Sequence, residues 1–250
     1  NYFLSALALG QTDKVIDFLQ RRFQRFGAKS SWPARTLYQA YMQLERRADA
    51  FETLDEAMRL RPNDGELLTY AGESHMHRGE FDKAEAILAK AEGVSKPGAR
   101  LRSLAYLAYN QDQRGKAREL WAEIIKLEPL AEDAHRIYCQ LVAEREERGA
   151  AIKHLNEVCT RFPHHFGLTR MLYDWLAEDG PAAREPLLKK LIDIHPANVW
   201  ARIEYAYNLA DQERFEEAFR QVDEAEHLDA NGSAVWFARG LLHKRKKRPE

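Results

Sequence analysis

Nine histidines and two cysteines are the residues best suited to hold a metal or act as nucleophiles, and their spacing speaks against both roles. His75 and His77 flank Met76. On a helix, residues two apart lie about 200° apart around the axis, so these rings cannot share an ion. His164 and His165 follow Pro163 in what reads as a turn, where zinc would need further ligands that the neighbouring sequence does not supply. Cys139 and Cys159 belong to no CxxC pair and fall on inward positions of two successive helices, which suits buried packing thiols. HExxH, GxSxG and Gly-rich phosphate loops do not occur. Acidic pairs such as Glu216 and Glu217 lie on polar helix faces, where solvation accounts for them. We therefore expect no catalytic residue, no metal and no cofactor.

Two basic runs suggest anionic partners. Arg21-Arg22-Phe23-Gln24-Arg25-Phe26 interleaves cations with aromatics, but Arg near a helix C-terminus also complements the helix dipole. Lys244-Arg245-Lys246-Lys247-Arg248-Pro249 resembles a localisation or anion-binding signal, yet at a helix-to-helix turn it reads as a solvated basic loop. Asn231-Gly232-Ser233 matches a glycosylation tripeptide, and a turn explains the same residues. The whole chain has 38 Lys and Arg against 39 Asp and Glu, a net charge of −1. That balance disfavours a nucleic-acid binder, which needs surplus cations to release counterions. No apolar run approaches the ~20 residues of a membrane span.

The elements that carry these residues repeat. From Val199 to Gly232 the sequence reads as two amphipathic helices around a polar turn at Asp211–Arg214. The first sets Trp200, Ile203, Tyr205, Ala206, Leu209 and Ala210 at helical spacing; the second sets Phe215, Ala218, Phe219, Val222 and Ala225 on one face. Asn231 and Gly232 suit the left-handed dihedrals that end a helix. Stepping Ala218 back by 34 or 33 residues meets Arg184, Ala151, Ala117, Ala84 and Ala50. In phase with them run Leu54, Leu88, Trp121, Leu155, Leu188 and Val222, and then Ala57, Ala91, Ile124, Val158, Leu191 and Ala225. A first-helix ladder runs Leu37, Ala71, Leu104, Tyr138, Met171 and Tyr205, and Pro62, Pro97, Pro129, Pro163 and Pro196 read as terminators of the second helices.

A period near 34 with paired small residues and a closing proline resembles the tetratricopeptide repeat. The pattern is carried by Tyr205, Ala206, Ala218 and Ala225, and by Gly72, Ala84, Ala91, Trp236 and Gly240, and it spans nearly the whole chain. Tyr38 and Leu172 are large where the family prefers small residues, and Arg184 replaces the helix-contact alanine, so those units should pack less closely. The resemblance implies an all-α fold, a right-handed α-solenoid of stacked antiparallel helix pairs forming one superhelical array over 1–250. Its units are 1–30 (partial), 31–64, 65–97, 98–131, 132–164, 165–198, 199–232 and 233–250 (truncated). The first is expected to open with a helix through Tyr2, Phe3, Leu4 and Leu7, and the last to run Ser233–His243 and leave Trp236, Phe237 and Leu241 uncovered, as in a fragment of a longer chain. Gly180 and Pro181 are expected in a turn, with Pro186 in the first turn of the following helix.

The resemblance further implies a protein–protein interaction module that holds a peptide or protein segment in a concave groove lined by first helices. One stripe of those helices carries Arg35, Gln39 and Met42, then Arg102, Tyr106 and Tyr109, then Arg136 and Gln140. Tyr and Arg dominate interface energies, and the cations favour an acidic or carboxylate-bearing partner. Tyr106 and Tyr109 could instead pack between neighbouring units. The Lys-xxx-Asn, Asn, Lys-xxx-Arg clamp of chaperone-binding members fails here, since Arg35 and Gln39 are followed by Tyr70, then by Ala99 and Ser103. The alternative is a structural or regulatory arm of a larger protein, self-associating through its terminal helices.

Overall fold

Long amphipathic runs punctuated by short polar turns leave the chain only helices to build with, and in a computed structural model the described residues, 11–247, contain no strand. The helix expected at Tyr2–Leu7 lies outside the described residues. The chain divides after Glu128 into two compact units, each a stack of antiparallel helix pairs.

In the unit covering 1–128, α1 (Thr12–Phe26) packs on α2 (Trp32–Gln43). Three pairs then follow: α2 with α3 (Arg47–Leu60), α4 (Gly65–His77) with α5 (Phe81–Lys90), and α6 (Pro97–Asn110) with α7 (Arg114–Leu127). In the unit covering 129–250 the pairs are α8 (Glu132–Glu146) with α9 (Arg148–Arg161), α10 (Phe166–Trp175) with α11 (Pro181–Ile194), and α12 (Val199–Ala210) with α13 (Phe215–Leu228). Last, α14 (Ser233–Lys246) packs on both α12 and α13.

The repeat ladders are the core. Ala50, Ala84, Ala117, Ala151 and Ala218 are fully buried, as are Leu54, Leu88, Trp121, Leu155, Leu188 and Val222 beside them. Each buried Leu contributes on the order of 2 kcal/mol by leaving water. Cys139 and Cys159 are buried free thiols in the core of α8–α11, and burial pushes the Cys139 thiol up to about 12. Pro62, Pro129, Pro163 and Pro196 each stand two residues beyond a second helix, where a missing N–H costs no helical bond.

Four expectations need correction. Pro97 opens α6 rather than ending α5, and Pro181 likewise opens α11, because proline's fixed φ suits a first helical position. Pro186 therefore lies inside α11, in its second turn. A 3-10 turn, Ala177–Asp179, fills the space before Gly180. The basic run is not a loop where it is described: α14 continues through Lys246, with Arg245 paired to Asp211 at 2.5 Å and Lys246 to Glu216 at 2.8 Å.

A feature with little sequence signal controls each pair. Every turn between paired helices holds one residue at positive φ: Glu45, Gly79, Asp112, Glu147, Gly180 and Glu213. Glu147 (φ 81°, ψ 156°) adopts nearly the conformation of Gly180 (φ 84°, ψ 171°), a region open almost only to glycine. Glu147→Gly should therefore stabilise the protein by about 1 kcal/mol, read as a higher midpoint in urea. A lower midpoint would show that the turn is not strained.

Candidate functional site

An α-helix that packs one stripe on its partner leaves another facing outward, and the first helices α2, α4, α6, α8, α10 and α12 present theirs at every repeat. In the first unit, Arg35 is half-buried with its guanidinium 4.9 Å from the Trp32 ring centre and 4.5 Å from that of Tyr70. Burial pushes the Tyr70 phenol upward, opposed by a hydrogen bond with Gln39. Trp32 is 64 % exposed, a large ring left open to solvent. Beside it lies a cleft of about 320 Å³ that also receives Glu66, Glu73 and Lys96. Ser103 donates to Glu73 at 2.7 Å across one repeat. This cleft thus carries acids as well as cations.

Along α6, Arg102 is held by Glu128 at 2.8 Å. Tyr106 and Tyr109 are 43 % and 39 % exposed, so neither is swallowed between neighbouring repeats. Each nevertheless has a contact within its own helix pair. Tyr106 packs edge-on against Trp121, 5.3 Å between centroids, over an indole nitrogen with no hydrogen-bond acceptor. Tyr109 lies under the Arg114 guanidinium at 3.8 Å. Met42 is half-exposed on α2.

In the second unit Arg136 and Gln140 stand exposed on one face of α8. Arg136 lines a cleft of about 670 Å³ with Arg170, His164, His165 and Trp175. His165 is more than a solvated turn residue, since its Nδ1 caps α10 by accepting from the Leu168 amide at 3.2 Å. Arg170 lies 4.1 Å from the Trp200 ring, and Tyr173 donates to Glu204 at 2.7 Å. The sequence contained a signal for Arg170, because Arg102, Arg136 and Arg170 follow one another in steps of 34. Trp32, Phe166 and Trp200 likewise share a register. Tyr70 and Glu73 carry no such signal, because their role depends on which neighbour lies across the repeat.

The residues expected to form one stripe therefore fall into two sets, Arg35, Gln39, Met42, Arg102, Tyr106 and Tyr109 in the first unit, and Arg136 and Gln140 in the second. Among the described residues no three His, Cys, Asp or Glu side chains gather as a metal site, and no helix is long and apolar enough to cross a membrane.

A family model described as tetratricopeptide repeat matches residues 41–104. The matched residues carry tetratricopeptide-repeat sequence, and the ladders of the same period continue along the rest of the chain. Among solved structures it is similar to yeast Tom70, with a TM-score of 0.52 and 13 % identity, covering 95 % of this chain and 59 % of that one. It is also similar to YrrB, described as a TPR protein with an unusual peptide-binding site, with a TM-score of 0.46 and 13 % identity over 75 % of this chain and 97 % of that one. At such identities these likenesses concern the fold alone. No curated protein matches the sequence. The tetratricopeptide fold is, in general, a scaffold for protein–protein interaction.

Behind the α8 face, His135 is buried and bonded on both ring nitrogens, to the Pro129 carbonyl at 3.0 Å and to His154 at 3.0 Å. The carbonyl can only accept, so His135 donates from Nε2 and its Nδ1 accepts from His154 Nε2–H. Burial and the neighbouring ring pull His154 down to about 4, and burial lowers His135 as well. An unfolded histidine takes its proton near 6.5, so between pH 6.5 and 4 the unfolded state binds more protons and stability falls with pH. Thermal midpoints measured over that window should drop more steeply for the parent than for His154→Gln. Parallel curves would remove the pair from the account.

Proposed function

We propose that this array binds a peptide or protein segment against the outward faces of its first helices. The observation that supports it most is arginine beside exposed or half-exposed rings on first helices of each unit, Arg102 on α6 in the first and Arg136 and Arg170, one repeat apart on α8 and α10, in the second. Arg and Tyr combine large contact area with directed donors and modest entropy loss, which is why they dominate interface energetics. Clefts in both units lie on these faces, each lined by arginine and an aromatic ring.

The Trp121 contact adds a cost to one test. Tyr106→Ala should lower stability by about 1 kcal/mol through the lost ring pair, so binding is compared well below both melting transitions. There it should weaken a partner recovered by pull-down by about 2 kcal/mol, around thirtyfold, and Arg136→Ala should do the same. Isothermal titration of the folded variants measures both. Parental affinity in each would move the site elsewhere.

A second reading, self-association of a structural or regulatory arm, is supported by Trp236 and Phe237, which are 55 % and 69 % exposed on α14. Multi-angle light scattering across a concentration series should then show dimer formation that Phe237→Ser abolishes. A parent that stays monomeric throughout would sink this reading.

A further inference from the structure

The arginines of this chain divide into those that hold a carboxylate and those that do not. Arg46, Arg61, Arg148, Arg214 and Arg239 are each paired with one or more acids. Arg136 and Arg170 are of the second kind. Both line a cleft of about 670 Å³ in the second unit, beside α8 and α10, and among the described residues neither forms an ion pair. Arg170 instead has its guanidinium carbon 4.1 Å from the Trp200 ring centre, and a guanidinium held over a ring can still direct N–H groups to an anion.

The acids in the cleft are occupied in other ways. Glu132 lies against the start of α10, so close that a Cβ at Gly167 would collide with its carboxylate, and it neighbours His165. Asp174 is partly desolvated, which raises its pKa, although Arg170 and Arg184 act against that rise. The same cleft offers Phe166, Met171 and Trp175. It therefore combines apolar surface with two guanidinium groups that form no ion pair, although Asp174 is an electrostatic neighbour of Arg170.

We propose that this cleft binds a single carboxylate of a partner protein with an adjoining bulky apolar side chain. Arg136 and Arg170 take the carboxylate, and Phe166, Met171 and Trp175 take the apolar group. The inference rests on the reading that first-helix faces bind protein segments, and it names the chemistry recognised in the second unit. Planar guanidinium forks match a carboxylate's two oxygens. Two arginines set against Glu132 and Asp174 leave the cleft without the surplus positive charge that would select a phosphate dianion over a carboxylate.

The carboxylate could belong to a chain terminus or to an acidic side chain, and three small probes separate these sources. N-acetyl-phenylalanine carries a terminal carboxylate, N-acetyl-aspartyl-phenylalaninamide a side-chain one, and N-acetyl-phenylalaninamide none. Each is titrated into the nitrogen-15-labelled protein while the arginine Nε and tryptophan indole signals are followed. At least one acid should give saturable shifts at Arg136, Arg170 and Trp175, and should bind about fivefold or more tightly than the amide. Arg136→Gln should weaken that acid by about tenfold while leaving the amide unchanged. Equal binding of acid and amide, or no saturable shift up to about 10 mM, would overturn the proposal. So would phenyl phosphate binding more tightly than both acids. If the proposal fails in any of these ways while Tyr106→Ala still loses the pulled-down partner, the broader reading stands. If that variant also binds normally, both fall.

Discussion

Two helices lie closest where their contact residues are small, and five of the six pairs here depend on that condition. Ala50, Ala84, Ala117, Ala151 and Ala218 sit at the contact with no exposed surface. Opposite Ala84, Gly72 leaves room for Leu88: a Cβ there would stand 2.7 Å from Leu88 Cγ, nearer than side-chain atoms normally approach. Close approach brings the larger residues four and seven positions on into the seam, and those are buried in nearly every repeat. With one stripe fixed in this way, the outward stripe of each first helix is fixed too. The arginine ladder is therefore a consequence of how the pairs pack, since a residue one period along must return to the same face.

The pair α10–α11 departs from the condition and shows what replaces it. Arg184 stands where the others have alanine, and it stacks its guanidinium 3.9 Å from the Tyr173 ring centre, with Nε left without a hydrogen-bond partner. The neighbouring Glu185 gathers Lys189 and Arg214 at 2.7 Å each, with Tyr205 and Gln212 at 3.1 Å. These bonds, led by that from Lys189, hold its carboxyl down to about 2 against burial. A polar network spanning α11, α12 and the turn before α13 thus ties down a repeat whose apolar seam is interrupted. Removing one member of such a network leaves buried charge uncompensated, so its parts act together. The carboxylate cleft lies on α10, the first helix of this same pair.

Much of this was legible in the sequence because the repeat multiplies weak signals. The turn at Asp211–Arg214 was placed to the residue, and Cys139 and Cys159 lie in the core as their positions implied. Prolines were harder to place, because the residue stops one helix and starts the next equally well, as Pro97 and Pro181 show. Left-handed turn positions were invisible where Glu or Asp occupies them, since only glycine advertises that conformation. The candidate site was half legible. Its register followed from the period, which also leads from Arg136 to Arg170. The partners that decide whether a cation is free did not, because Glu128 on Arg102 or Trp200 under Arg170 depends on side-chain contacts across repeats.

The central claim is that partners are held by first helices rather than by the outward faces of second helices. Site-specific photo-crosslinking tests it most directly. Benzoylphenylalanine is placed singly at the exposed positions Gln39 and Gln140 on α2 and α8, and at Glu123 and Lys153 on α7 and α9. Illumination of the folded variants with the recovered partner should give adducts from Gln39 or Gln140 and none from Glu123 or Lys153. Adducts confined to Glu123 and Lys153 would place the partner on the second helices and contradict the account.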